Sequence, residues 1–212
     1  MRRLNRVEQT RRNRELLLTA ARRVFMARGY HGATLERIAD EAGFSKGVVY
    51  SQFRDKADLF LILLEARIEA RLKANAEVVR EARAEAGMKA FLEQGIRVIR
   101  AEPEWGLAVL EFRLHAARDP ELNGRYLALH ERAIQGLAAV FAEAYERAGE
   151  ELPLPAVNFA EALFALGTGV ELEQAHNPTA LEGPLAGALV SRLLSSEPAA
   201  SKPRSAKRRR AA

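Results

Sequence analysis

The sequence predicts an all-α protein of about nine helices. Ala, Leu, Glu and Arg dominate its 212 residues, and all four favour helix. No run of alternating β-branched residues is long enough to suggest a strand, and prolines separate the helical stretches, as they do where helices start or stop. The length allows one large domain or two modest ones, with enough buried surface to fold without disulfides or a structural metal.

The first 55 residues predict three helices separated by tight turns. The first helix runs from about Glu8 to Arg28 and carries one apolar stripe at helical spacing. Two much shorter helices follow, because glycines interrupt the pattern and hydroxyl residues that cap helix N-termini come after them. In chain order these stop and cap signals are Gly29, Thr34, Gly43 and Ser45.

The rest of the chain predicts a long fourth helix and five more. The fourth runs from Lys56 to about Glu85, with Asp55 as its N-cap and Gly87 as its end. Its buried candidates are Leu59, Leu63, Ala66, Ala70 and Leu72. The others are predicted at about 88–102, 105–118, 120–148, 156–176 and 179–195. Residues 197–212 contain no large apolar side chain, and we expect them to form a disordered basic tail.

Charge is distributed unevenly along the chain. Residues 1–60 hold 13 Lys and Arg against 7 Asp and Glu, whereas residues 61–196 hold 14 against 20. The tail from residue 197 holds 6 against 1. A basic N-terminal segment, an acidic middle and a basic tail indicate that part of the chain meets a polyanion such as nucleic acid. Chance clustering of surface charge is the alternative.

Several classes of function lack their characteristic residues. The chain has no cysteine, which excludes disulfides, thiolate zinc sites and cysteine nucleophiles. Neither a Gly-x-Ser-x-Gly elbow nor a phosphate-binding loop occurs, so we expect neither an enzyme nor a cofactor. The histidines lack the spacing of a metal site, and we expect no metal at any of the four, which are His31, His115, His130 and His176.

Nothing in the sequence predicts a membrane partner. No apolar run is long enough to span a bilayer, and the first residues lack the apolar region of a secretory signal. We therefore expect a cytoplasmic protein.

Residues 34–53 predict a helix-turn-helix. Two short helices joined by a glycine-containing turn are typical of this motif, whose second helix enters the major groove of DNA. The polar side chains expected to be exposed on and after the second helix suit base edges and phosphates, and the glycine allows a close backbone approach. These residues are Ser45, Lys46, Gly47, Tyr50, Ser51 and Gln52.

The segment 29–59 closely resembles the TetR family of bacterial transcriptional repressors. The spacing Ile-Ala-x-x-Ala-Gly-x-Ser-x-Gly-x-x-Tyr-x-x-Phe-x-x-Lys is met at every position from Ile38 to Lys56, and the resemblance covers about residues 10–60. It implies that Lys46 and Gly47 meet base edges. The residues that it implies for the phosphate backbone are Thr34, Ser45, Tyr50, Gln52 and Lys56.

The resemblance also implies an architecture and a function. It divides the chain into a DNA-binding domain (1–55), a ligand-binding and dimerisation domain (56–196) and the tail (197–212). The expected function is that of a homodimeric repressor bound to a pseudo-palindromic double-stranded operator. A small apolar or amphipathic effector, for example a fatty acyl-CoA or an aromatic acid, would release it. The alternative is an activator or partner-controlled factor without a small-molecule inducer.

Two sets of apolar residues are candidates for these roles in the second domain. The expected dimer face consists of Phe159, Leu163, Leu166 and Val170 on one helix and Leu185, Leu189 and Leu193 on the next, and a monomer core is the alternative. The expected ligand site consists of Phe91, Trp105, Phe112, His115, Tyr126 and His130. An acidic group on the ligand would meet Arg97, Arg100, Arg113 or Arg118, unless these arginines are simply exposed.

Overall fold

The computed structural model describes residues 5–80 and 84–180, and for residues 84–86 it describes the backbone alone. Every regular element in these ranges is a helix, which confirms the all-α prediction. The eight helices are α1 (Arg6–Gly32), α2 (Leu35–Ala42), α3 (Lys46–Tyr50), α4 (Lys56–Arg80), α5 (Ala84–Ala101), α6 (Pro103–Ala116), α7 (Pro120–Ala148) and α8 (Ala156–His176).

The limits of α7 and α8 agree with the prediction, whereas those of the first, fourth, fifth and sixth helices differ from it by up to about five residues. The predicted first helix ends at Arg28, whereas α1 kinks at Gly29 and resumes to Gly32. The predicted fourth helix ends at Gly87, whereas α4 ends at Arg80 and Gly87 lies inside α5. The helix expected at 179–195 and the tail lie outside the described residues beyond position 180.

Gly87 does not end a helix, because it lies inside α5. A Cβ atom placed on it would lie 3.5 Å from the backbone oxygen of Val79, at the end of α4. This is an ordinary van der Waals distance, so the start of α5 packs beside the last turn of α4 without requiring a glycine at this position.

The first core joins the N-terminal helices to α4 and α6. Its centre is the fully buried Phe60, whose ring centre lies 4.9 Å from that of Phe25 and 5.2 Å from that of Tyr30 in α1. On the other side it lies 4.7 Å from Phe112 and 5.4 Å from Trp105 in α6. This aromatic cluster crosses the domain limit predicted at residues 55 and 56, because its members come from both sides of it.

A second core fills the space between α5, α7, α8 and the end of α4. Phe141 is its centre, with ring distances of 4.9 Å to Phe91 and 5.4 Å to Phe159. Because α4 serves both cores, its buried positions do not form a single stripe. Of the five residues predicted to be buried on it, Leu59 is buried, Leu63 and Leu72 are half-buried, and Ala66 and Ala70 are exposed.

Candidate nucleic-acid interface and ligand cavity

The turn between α2 and α3 follows from the residues that the sequence singled out. The Thr34 hydroxyl accepts a hydrogen bond from the backbone N–H of Arg37 at 3.3 Å and so caps α2. Gly43 ends α2 in the left-handed conformation, with φ 72° and ψ 28°. The next residue, Phe44, donates its N–H to the carbonyl of Ala39 at 2.9 Å. These hydrogen bonds fix the turn between α2 and α3, which places α3 at the surface of the protein.

The structure places most of the predicted DNA-binding residues on one exposed surface. Val49 is fully buried and Val48 packs against the same core, which leaves Lys46 and Tyr50 of α3 exposed. The Tyr50 side chain is exposed over 54% of its area despite its size. Gln52 and Lys56 are half-buried, and the exposed residues are Thr34, Ser45, Lys46, Gly47, Tyr50 and Ser51.

Lys56 and Gln52 are partly engaged by the protein itself. The Lys56 ammonium donates to the carbonyl of Tyr30 at 2.7 Å and lies 4.5 Å above the ring of the same residue. Burial lowers the pKa of Lys56. The cation therefore caps the kinked end of α1, where carbonyl groups favour positive charge. The backbone carbonyl of Gln52 accepts a hydrogen bond from the Arg14 guanidinium, which lies 4.7 Å from the centre of the Phe53 ring. Phosphate binding by Lys56 and Gln52 stays a prediction.

Glu36 belongs to this surface although the sequence analysis gave it no role. Its carboxylate accepts a hydrogen bond from the Tyr50 hydroxyl at 3.0 Å, and the Lys46 ammonium lies 3.9 Å from the same oxygen. Hydrogen bonds from its own backbone N–H and from Tyr50 lower the pKa of Glu36, so the carboxylate stays ionised near neutral pH. An acid in the first turn of a helix is ordinary, and the sequence therefore gave no signal for this contact.

A cavity of about 280 Å³ lies between α4, α5, α6, α7 and α8. Four of the six residues predicted to bind a ligand line it, namely Phe91, Trp105, Tyr126 and His130. Phe112 and His115 do not. Phe112 is fully buried against Phe60 of α4 and Tyr30 of α1, and the centre of the His115 ring lies 5.4 Å from that of the Tyr30 ring. Ligand binding by these two stays a prediction that the lining of this cavity does not support.

The polar part of the cavity wall comes mainly from α4. Arg67, Arg71 and Asn75 follow one another at four-residue spacing, which places them in one row along the helix. Glu102, Thr168 and Glu171 complete the polar lining. None of the four arginines considered from sequence lines the cavity. Arg113 comes nearest, since it donates to the Thr168 hydroxyl at 3.1 Å.

Glu102 connects this wall to the N-terminal helices. It lies between α5 and α6, lines the cavity, and accepts hydrogen bonds from Arg22 of α1 and from Arg67 of α4, the latter at 2.5 Å. Burial opposes ionisation of this carboxyl, but the bonds from Arg22 and Arg67 outweigh it and lower its pKa. The Glu102 carboxylate therefore connects the junction of α5 and α6 to both α1 and α4. Of these helices, α1 and α4 are the ones that precede and follow the two short helices carrying the exposed α3 surface.

The apolar stripe of α8 faces inward. Phe159 is buried against Phe141, and Leu163 and Val170 are buried on the cavity side. Leu166 alone of the four predicted interface residues is exposed, over 39% of its area. Packing within the chain therefore covers Phe159, Leu163 and Val170, and their role in a dimer face stays a prediction. The exposed side of α8 carries Ala162, Ala165, Gly169 and Leu172, and the predicted residues Leu185, Leu189 and Leu193 lie outside the described residues.

The described residues contain neither a metal-binding cluster nor a membrane-spanning helix. In residues 5–80 and 84–180, no group of three or more His, Asp or Glu side chains could hold a metal ion. No helix in those ranges is both long and apolar enough to cross a membrane.

Comparisons with known proteins point to one family. Residues 17–63 match the family model described as bacterial regulatory proteins, tetR family. The chain is 36% identical over 109 residues to the HTH-type transcriptional activator FasR of Mycolicibacterium smegmatis, covering 46% of this chain and 49% of FasR. It is 36% identical over 124 residues to the HTH-type transcriptional repressor AcnR of Corynebacterium diphtheriae, covering 57% and 58%. The chain thus matches only about half the length of these relatives.

Solved structures extend the likeness to the whole described fold. FadR from Bacillus subtilis in complex with stearoyl-CoA superimposes with a TM-score of 0.70 at 18% identity, covering 86% of this chain and 97% of that one. A TetR transcription regulator from Haloarcula marismortui gives 0.70 at 23% identity, covering 86% and 96%. At these identities the similarity establishes the fold and leaves the ligand open.

Proposed function

Since residues 17–63 are a TetR-family helix-turn-helix domain, we propose that this chain is a homodimeric transcriptional repressor which a small, mostly apolar ligand releases from its operator. The observation that carries the proposal is the exposed α3 surface of a helix-turn-helix that shares α4 with a ligand-sized cavity. The protein would act in the cytoplasm, where chromosomal DNA lies. The relatives named above are transcriptional regulators, which argues against an enzyme.

DNA binding would use the outward side of α3. Lys46 and Gly47 lie at its N-terminal end, the part of a recognition helix that contacts base edges. Thr34, Ser45 and Tyr50 surround them with hydroxyl groups suited to phosphate oxygens. An exposed tyrosine next to an exposed lysine has little value for the stability of the fold, and this favours a binding role.

Dimerisation would use the outward side of α8. Small exposed side chains at Ala162, Ala165 and Gly169 would let a second helix approach closely, and Leu172 adds apolar area. A two-fold symmetric dimer would place two copies of α3 about one helical turn of DNA apart, roughly 34–36 Å, on a pseudo-palindromic site.

Ligand control would pass through α4 and Glu102. A ligand in the cavity contacts the row of polar residues on α4, and Arg67 in that row shares Glu102 with Arg22 of α1. Linkage requires that the ligand bind the released conformation more tightly than the DNA-bound one. A ligand that changes the pairing of Arg67 with Glu102 would have different affinities for the two conformations. The reason is that Glu102 also binds Arg22 and so holds α1 in place.

Activation of transcription is the alternative to repression, and one comparison favours it. FasR, similar over half its length, is by its name an activator, whereas AcnR is a repressor. An activator would bind DNA through the same α3 residues and could lack an inducer. Placing the bound site upstream of a reporter gene distinguishes the two, because the protein lowers expression as a repressor and raises it as an activator.

The test of the proposal is the selection of genomic fragments by the full-length protein. Sheared genomic DNA from the source organism is captured at near-physiological salt with excess competitor, sequenced, and footprinted. We expect enrichment of a few sites with two symmetric half-sites protected together. Fragments recovered without any enriched sequence would contradict the repressor and the activator alike.

Replacing Glu36 with glutamine should raise the affinity for duplex DNA about three- to tenfold at low salt. The change removes a negative charge from the surface that would meet phosphates and frees the Lys46 ammonium, which lies 3.9 Å from that carboxylate. Fluorescence anisotropy on a labelled duplex measures the change. Glu69→Gln, which removes the same charge from an exposed position on α4, serves as the control and should leave the affinity unchanged. Equal or weaker binding by Glu36→Gln would contradict the placement of this surface against DNA.

A further inference from the structure

The cavity has an apolar side and a polar side, and the polar side is incompletely satisfied. Three side-chain atoms on its wall are shielded from solvent and have no hydrogen-bond partner in the part of the chain that the structure describes. They are Nη1 of Arg71, Oδ1 of Asn75 and Nδ1 of His130. Asn75 is only 6% exposed, so water outside the protein does not satisfy it. Buried polar groups normally have partners, because leaving one unpaired costs on the order of 1–3 kcal/mol.

The two arginines in the row on α4 differ in their partners. Arg67 is paired with Glu102 at 2.5 Å. Arg71 forms no ion pair within residues 5–80 and 84–180, and Glu171, the acid that acts on it electrostatically, lies beyond ion-pair distance. Burial raises the pKa of Glu171, although the charges of Arg67, Arg113 and Arg71 act to lower it. A guanidinium stays protonated in proteins, so Arg71 presents to the cavity a cation that has no ion-pair partner among the described residues.

Apart from Glu102, Thr168 and Glu171, most of the remaining wall is hydrocarbon. Phe91, Leu92 and Ile96 of α5 face Leu137 of α7 and Leu163 of α8 across the cavity. The volume of about 280 Å³ is close to the lower end of small-molecule pockets, about 300 Å³. A ligand of this size with one charged end would place that end at α4 and its apolar part against α5, α7 and α8.

We propose that the cavity takes a small amphiphile with a free carboxylate, bound by Arg71 beside Asn75, with its hydrocarbon part against Phe91 and Leu137. The inference rests on the proposed ligand-controlled function and names the class of effector. It distinguishes a free acid from a coenzyme A thioester, because a thioester carbonyl carries no charge for Arg71 and the coenzyme would have to remain outside a cavity of this volume. A planar guanidinium fits a carboxylate through two parallel hydrogen bonds.

The experiment measures binding to the full chain without DNA. Trp105 is the only tryptophan of the protein and lies in the cavity wall, so its fluorescence reports occupancy directly. The probes are decanoate and 4-phenylbutyrate as carboxylates, decanol as the uncharged match, and decanoyl-CoA as the thioester. We expect at least one carboxylate to bind with a dissociation constant below ~1 mM, and decanol and decanoyl-CoA to bind at least tenfold more weakly.

Variants of Arg71 test the head-group contact. Arg71→Met should weaken carboxylate binding about 10- to 100-fold and leave decanol binding unchanged, since a hydrogen bond to a charged group is lost. The control is Arg118→Met, an exposed arginine outside the cavity, which should leave both affinities unchanged. A methionine in place of an unpaired buried cation should fold, and a wild-type circular dichroism spectrum checks this. If Arg71→Met does not fold, Arg71→Lys is tested instead. We expect Arg71→Lys to lower the carboxylate affinity about 3- to 30-fold, because an ammonium cannot form the two parallel hydrogen bonds of a guanidinium.

Three results would overturn the proposal. These are undetectable binding of both carboxylates, tighter binding of decanol or decanoyl-CoA than of decanoate, and full carboxylate affinity in the Arg71 variant. None of them bears on DNA binding, which is measured separately. Conversely, a protein that binds decanoate through Arg71 but selects no genomic site would keep the ligand assignment and lose the regulatory function.

Discussion

Replacing Phe60 with alanine should lower the free energy of unfolding by about 3–5 kcal/mol. The ring is fully buried and contacts aromatic side chains of α1 on one side and of α6 on the other. Its removal takes away apolar burial and leaves a cavity that these rings cannot fill without moving apart. Urea unfolding followed by circular dichroism measures the change, at equal protein concentrations because self-association shifts apparent stability.

Leu114→Ala is the matched control for this substitution. Leu114 lies on α6, two residues after Phe112, and is 68% exposed, so its truncation should change stability by less than about 0.5 kcal/mol. The result for Phe60→Ala also tests the continuity of the first core. A loss below about 1 kcal/mol, or separate unfolding of the N-terminal helices at unchanged overall stability, would show that Phe60 does not join the two parts.

Replacing Lys46 with alanine should reduce affinity for the selected operator about 10- to 100-fold. A symmetric dimer loses the contact in both half-sites, so the effect of one substitution counts twice. Lys46 is exposed at the start of α3, and its weak contact with Glu36 at 3.9 Å leaves it available to DNA. Anisotropy titrations of the operator and of a scrambled duplex at several salt concentrations measure the affinity and separate specific from general attraction.

The salt dependence distinguishes two roles for Lys46. If it contacts phosphate, the slope of log affinity against log salt should decrease by about 2 for a dimer, and both duplexes should lose affinity alike. If it contacts a base edge, the operator should lose more than the scrambled duplex. Lys73→Ala removes an equal charge from α4, about 25 Å along the helix from Lys56, and should leave operator affinity unchanged. Equal losses in the two variants would contradict the assignment of α3 as the recognition helix.

The helix-turn-helix could be predicted because local interactions determine it. Thr34 caps α2 through its own hydroxyl, and Gly43 takes a left-handed conformation that few other residues adopt. These contacts span three or four residues, so their signals are visible in the sequence as a fixed pattern. The limits of α7 and α8 were predicted for the same reason, since prolines and a terminal glycine mark them.

The cavity could be predicted only in outline. Which residues of α6 line the cavity depends on how α1 packs against that helix, so the sequence did not separate Trp105, which lines the cavity, from Phe112, which does not. The row of Arg67, Arg71 and Asn75 reads in the sequence as an ordinary polar side of a helix. Only the packing of α4 between two cores turns that row inward, and helical periodicity contains no information about which neighbours cover it.

The continuous first core has a consequence for the construction of chimaeric regulators and biosensors. Joining residues 1–55 to the sensing part of a relative is attractive, since it would keep the operator and exchange the inducer. The cut would, however, separate Phe25 and Tyr30 from Phe60 and Phe112, and it would strand Arg22 without Glu102. A working graft therefore has to transfer the buried residues of α4 and α6 together with the recognition helix α3. Otherwise the residues on both sides of this packing interface have to be redesigned together.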